Sequence, residues 1–213
     1  MSDELFHREA WVPSPQLRRA LSRASTVDPA APGKAPWDAR LWLHLGWVLV
    51  AVQASACVAL VQVQGWSGVP ALVLFALISA AGLRRSPPFP ALFAFLFAAA
   101  STLNAAGWLW RLFDRYDWFD DILHLMTPFA LVGGLLAAAL RRGWLRRPQT
   151  AVRAAALGAA AGLPIGLAWE GLEAIFVRFP ISDTLMDIAY DMAGAGLAGW
   201  LVWAAPRLAR HLA

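Results

Sequence analysis

After residue 40 the chain alternates long apolar runs with short polar connections, and the runs have the length of a bilayer crossing. A helix rising about 1.5 Å per residue needs about 20 apolar residues to cover a hydrocarbon core about 30 Å thick. Windows of that size pick out six candidate spans, roughly 41–63, 68–83, 89–112, 121–140, 152–177 and 185–205, of which the second is short. The connections leave no room for a separate folded domain. The pattern predicts an all-α fold: a polytopic membrane bundle of about six transmembrane helices in the lipid bilayer, with tails at 1–40 and 206–213.

Composition agrees with the pattern. Hydrophobic residues make up 59% of the chain and charged residues 15%, and the mean hydropathy is +0.53, which excludes an ordinary soluble domain. The tail at 1–40 has no apolar core long enough for a signal peptide, and its Pro, Ser, Ala and Arg content predicts disorder. Within it Pro15–Leu21 has the makings of a short basic helix on the membrane surface, though no Trp or Phe anchors it. The single Cys57 lies in the first span and excludes an intrachain disulfide framework.

Charge sorts by side. Fifteen of the eighteen Lys and Arg residues precede span one, follow spans two and six, or join spans four and five; Arg111, Arg115 and Arg178 remain for the other side. The positive-inside rule then places the N-terminus and the C-terminus in the cytoplasm of a multi-pass plasma-membrane protein. The pI near 10.2 has the same origin, so it predicts contact with anionic lipid and no nucleic-acid partner.

The acids sort the opposite way. Nine of fourteen fall between Asp114 and Asp191, at or inside the outer ends of apolar helices. In span four Asp117, Asp121 and His124 are related by four and three residues and share a helix face, while Asp120 also reaches His124 at i+4. Glu170 and Glu173 lie one turn apart near the outer end of span five, and Asp183, Asp187 and Asp191 form an i, i+4, i+8 ladder descending about 12 Å into span six. All three sets reach similar depths on the exoplasmic side.

Ionisable groups within a membrane cost a few kcal/mol each or more, so such a set is a functional-site hypothesis by default. Crowded carboxylates in low dielectric cannot all stay ionised without protons or a cation among them. Carboxylates with one imidazole suit a divalent metal such as Mg, Mn or Zn. The expected ligands are His124, Glu170, Glu173, Asp187 and Asp191, with Asp121 orienting His124 or acting as a general base. Asp117 and Asp183 instead suit helix N-terminal capping, and Asp114 and Asp120 are equally open to a structural role.

Around these acids the sequence supplies packing residues. Gly133 and Gly134 in span four, Gly158, Gly162 and Gly166 in span five, and Gly194, Gly196 and Gly199 in span six are spaced for close helix approach. Pro164 is placed to kink span five before the Glu pair. His44, Gln53 and Asn104 suit interhelical hydrogen bonding, and Trp108, Trp110 and Trp118 suit an outer aromatic belt.

Three segments carry a resemblance. Tyr-Asp-x-Phe-Asp-Asp-x-x-His at 116–124, Trp-Glu-x-x-Glu at 169–173 and Asp-x-x-x-Asp-x-x-x-Asp-x-x-Gly at 183–194 resemble the YjdF-like bacterial inner-membrane proteins, a family of unknown function. The order of acids and histidine is more distantly similar to VanZ-like proteins, some linked to glycopeptide resistance. Asp191 stands where those usually have Asn, and Glu173 where Gln is common. The resemblance covers about residues 107–200 and implies an inner-membrane location and site positions at Asp121, His124, Glu170, Glu173, Asp187 and Asp191.

Three functions fit these observations: a metal-dependent enzyme acting at the outer leaflet on a lipid-linked or envelope substrate; a proton- or cation-coupled carrier using the carboxylates as a relay; and a membrane adaptor in which the acidic cluster only stabilises the bundle. Against the carrier stand the absence of an internal repeat and of acids in the cytoplasmic half.

Overall fold

A computed structural model describes residues 37–66, 68–84, 90–175 and 180–211, with Ser14 and Gln16 besides. The chain divides into two units, Met1–Pro36 and Trp37–Ala213. Apart from those two residues and the first turn of the bundle, the expected disorder of 1–40 and the surface helix at 15–21 lie outside the described residues.

The second unit is all helical among its described residues. Six helices follow in order: α1 Trp37–Gln64, α2 Val69–Arg84, α3 Ala91–Leu109, α4 Trp118–Arg141, α5 Ala151–Glu173 and α6 Ile181–His211. Four of them, α1, α3, α4 and α5, are long and apolar enough to cross a membrane. At 16 residues, α2 spans only about 24 Å. The sixth differs from its expected 185–205 in the other direction: α6 has 31 residues, or about 46 Å, and its acidic first turns project beyond the apolar stretch.

Local chemistry sets the ends. Thr150 accepts the Arg153 backbone N–H at 3.2 Å and caps α5. At the end of α4, Gly143 takes φ +72, with Gly143 N–H bonded to Leu140 C=O at 3.2 Å and Trp144 N–H to Ala139 C=O at 2.9 Å, the double closure that a left-handed glycine permits. Pro128 and Pro164 both lie inside unbroken helices. Each removes an N–H, so the carbonyls of His124 and Ala160 lose their helical donors.

The helices form two trios. In the first, α1 packs on α3 and α2 through a core of Leu60, Val69, Leu72 and Ala105, and Gln53 Nε2 bridges α1 to α3 by donating to Ala98 C=O at 2.9 Å and Thr102 Oγ1 at 3.1 Å. In the second, α6 lies between α4 and α5, and its contact with α5 is the most extensive in the molecule. Glycine makes that contact possible. A Cβ on Gly158 would run into the Ala195 carbonyl, on Gly199 into that of Ala154, and on Gly194 into that of Leu125 in α4. The two trios meet where α3 packs on α4, with the Phe93 ring seated on Gly133, and where Phe75 of α2 stacks on Trp169 of α5 at 5.1 Å.

Consecutive helices run up and down. Arg147 in the α4–α5 connection donates to Trp203 C=O near the end of α6 at 3.0 Å, and Gly46 at the start of α1 faces Leu83 at the end of α2, so the basic connections gather at one end of each trio. The acidic turns of α4, α5 and α6 gather at the other. Outward positions such as Val58, Val48 and Leu77 are exposed and apolar, as a lipid-facing surface requires.

Candidate functional site

The site lies where the first turns of α4, the last turn of α5 and the second and third turns of α6 converge. His124 is its centre and is 6% exposed. Its Nδ1 lies 3.2 Å from Asp191 Oδ1; a carboxylate only accepts, so this nitrogen is the donor. Nε2 faces Asp120 Oδ1 at 3.7 Å and Glu170 Oε1 at 3.9 Å. Both are too long for hydrogen bonds. Both suit two ligands of one ion, since atoms about 2.1 Å from a common metal are at most about 4.2 Å apart.

Among the described residues two sets of three donors lie within 4.8 Å of one another: Asp120, His124 and Asp187, and His124, Glu170 and Glu173. His124 is thus the hinge between two carboxylate pairs, one from α4 and α6, the other from α5. Thr184 engages the Glu170 carboxylate by a hydrogen bond, yet Glu170 Oε1 and Asp191 Oδ2 are buried with no hydrogen-bond partner. An orphaned carboxylate oxygen in a membrane protein is costly unless something positive meets it. Arg111 is engaged elsewhere, pairing with Asp114 at 2.7 Å in an exposed position. The residues therefore fit a hard or borderline divalent cation by donor type, by spacing and by unmet acceptors.

Asp191 owes its place to a glycine. A Cβ on Gly166 would collide with Asp191 Oδ2 and lie 3.1 Å from its Cβ and Cγ, so the bare backbone of α5 leaves the pocket that the carboxylate fills. Sequence spacing suggested that Gly166 serves helix packing; it serves a side chain as well.

Of the six expected site residues the structure brings five together, His124, Glu170, Glu173, Asp187 and Asp191. Asp191 meets the imidazole and belongs to neither donor trio. Asp121 lines the adjoining cavity but belongs to neither trio. Asp120, open to either role from its spacing, stands against Nε2. Asp117 does not cap α4: it takes φ −54 and ψ −35 and makes no side-chain cap bond, because the preceding chain already turns, with Tyr116 N–H on Leu112 C=O and Phe119 N–H on Tyr116 C=O. Asp183 does sit in the first turn of α6, where the helix dipole favours an anion.

The cluster forms one end of a cavity of about 1490 Å³. Asp114, Asp117 and Asp183 stand at its acidic end, and Phe75, Phe97, Leu131, Ile165 and Trp169 form an apolar wall further in. Asn104 also lines it, buried, with Oδ1 unpartnered; the expected interhelical bond is made by Gln53 and not by Asn104 or by His44, whose Nδ1 lies 2.7 Å from Arg40 C=O in its own helix. Trp110 and Trp118 are exposed, whereas Trp108 packs edge-on to Phe113.

Fold and site together define a polytopic helical membrane protein with a buried carboxylate–histidine cluster at one end of its bundle. Comparison with protein families places the chain more closely. Residues 40–207 match the model of the family described as predicted membrane protein (DUF2238), and the chain belongs to that family, whose function is unknown. The match spans nearly the whole bundle and not only the motif-bearing region at 107–200. No curated protein and no solved structure matches the chain.

Proposed function

We propose that this is a membrane enzyme that binds a divalent cation at the His124 cluster and acts on a lipid-linked or envelope substrate at the outer face of a bacterial inner membrane, with both termini cytoplasmic. The observation that carries the reading is His124 held through Nδ1 by Asp191, with Nε2 turned to Asp120 and Glu170 and with Glu170 Oε1 buried and unmet. A carboxylate fixing the far nitrogen of a ligating histidine is the usual outer-shell arrangement of a metal site.

In this reading His124, Glu170 and Glu173 hold the cation, or His124, Asp120 and Asp187 do, and Asp191 orients the imidazole. Asp121 lines the cavity beside them, in position to accept a proton from a water or hydroxyl of the substrate. A divalent ion here supplies Lewis acidity toward a phosphoryl or carbonyl oxygen. The orientation follows the basic residues, which cluster at the end away from the site.

The test is metal analysis of detergent-purified full-length protein, wild type beside Glu173→Ala and His124→Ala. Stoichiometric Mg, Mn or Zn in the wild type and its loss in both variants supports the reading. Wild-type protein that neither retains nor takes up any of the three ions removes it and leaves the cluster as bundle structure.

A further inference from the structure

Among the described residues α2 packs on α1 and α3 and makes no close backbone approach to α4, α5 or α6. Across that gap the Phe75 and Trp169 rings stack, 26° from parallel. The cavity runs through the same gap, lined by Leu74, Phe75 and Ile78 of α2 and by Pro164, Ile165 and Ala168 of α5. Leu74, Pro164 and Ala168 are themselves exposed. Exposed lining residues on both helices, with no close backbone approach between them, point to a sideways opening between α2 and α5.

That flank is apolar. Leu77 on α2 and Leu167 on α5 are exposed beside the opening, and Pro164 lies nine residues from the acidic end of α5, about 14 Å down and near the bilayer midplane. The interior passes from the apolar Ile78, Phe97 and Leu131 to the carboxylate cluster, the same polarity order as a lipid lying with its head at the acidic end. Its volume of about 1490 Å³ exceeds the roughly 300–1,000 Å³ that suits drug-sized ligands.

We propose that the α2–α5 cleft is a lateral entry and seat for a membrane lipid, one long apolar chain of which passes beside the Phe75–Trp169 pair and lies along Ile78, Phe97 and Leu131. The assignment of its polar head to the His124 cluster rests on the cation-site reading above; the seat of the chain does not. The partner class is a lipid with a long acyl or prenyl chain, not a water-soluble metabolite.

The experiment uses full-length protein in vesicles of phosphatidylethanolamine and phosphatidylglycerol containing a trace of phosphatidylglycerol with a mid-chain diazirine. After irradiation, labelled residues are mapped by mass spectrometry. Phe97, 3% exposed, is labelled only by a chain inside the cleft, whereas Val58 and Leu77 report the outer surface. The expected result is label at Phe97 that excess unlabelled phosphatidylglycerol removes and soluble glycerophosphoglycerol does not. Ala168→Trp at the mouth, or Ile165→Phe within, loses the Phe97 label while Val58 keeps its own. Label confined to the outer residues, or Phe97 label indifferent to competing lipid, overturns the proposal.

Manganese binding is measured on the same samples. Phe97 label in protein that binds no manganese keeps the cleft and removes the cation site; manganese binding without Phe97 label does the reverse.

Discussion

The two helix trios are assembled by different means. In α1–α3 side chains meet side chains: Leu60, Val69 and Leu72 fill the contact, and one glutamine supplies the interhelical hydrogen bonds. In α4–α6 backbone meets backbone, with Gly158, Gly194 and Gly199 each against a neighbouring carbonyl. All the carboxylates of the cluster belong to the second trio. Side chains repack when disturbed, but helix backbones in contact do not, so glycine packing fixes the relative rotation and depth of three helices carrying polar groups that must meet within a few ångströms. The first trio supplies an apolar wall, for which such accuracy is unnecessary.

The largest effect that would break this contrast is a side chain between the backbones of the second trio. Gly194→Val places atoms on the Leu125 carbonyl, and the cost should exceed the about 1–3 kcal/mol of ordinary overpacking, because no rotamer relieves a backbone clash. Loss of the monodisperse peak in detergent gel filtration is expected, while Leu72→Ile in the first trio keeps it. Should Gly194→Val run as wild type, the second trio is not held by backbone contact.

A smaller and more selective effect is expected at the imidazole's support. Asp191→Asn should lower manganese affinity by about 10–100-fold, the usual range for an outer-shell partner, with the fold intact by gel filtration. Asp121→Asn should leave manganese affinity unchanged, since Asp121 belongs to neither donor set; calorimetric titration separates the two, and equal losses would move Asp121 into the site. Gly166→Ala should act in the same direction as Asp191→Asn, because its methyl falls on the Asp191 side chain. Unaltered manganese binding in Gly166→Ala would show that Asp191 does not need that pocket.

The smallest change lies in the first trio. Gln53→Leu removes two donated hydrogen bonds, yet it also removes the buried, unpartnered Gln53 Oε1. Interhelical hydrogen bonds in membranes average about 0.6 kcal/mol, so stability should move by about 1 kcal/mol or less, and manganese affinity not at all. Detergent denaturation measures the first and titration the second; a change in manganese affinity would join the two trios into one unit.

The helices were legible in sequence because bilayer thickness fixes the length of an apolar run, and Asp187, Asp191, Glu170 and His124 were legible because spacing and depth follow from helical rise. Which acid of the adjacent pair in α4 meets His124 was not. Asp120 and Asp121 stand at i−4 and i−3, and the choice depends on how α4 is rotated against α6, set by Gly194 on Leu125. The Asp117 cap failed for a similar local reason, since residues 112–116 already turn and Asp117 enters the helix in a helical conformation. The cavity was illegible altogether, since it arises from α2 standing off α5 with one aromatic pair across the gap, a distance that no pattern along the chain encodes.

The shortness of α2 bears on the membrane itself. Its 16 residues fall about 6 Å short of a typical hydrocarbon core, and lipids accommodate such a mismatch by thinning beside the short helix at a fraction of a kcal/mol per ångström. The proposed cleft lies along this same helix, so a leaflet that thins to match α2 would bring head groups at the entrance closer to the midplane. A bilayer of shorter lipids would meet α2 without that deformation.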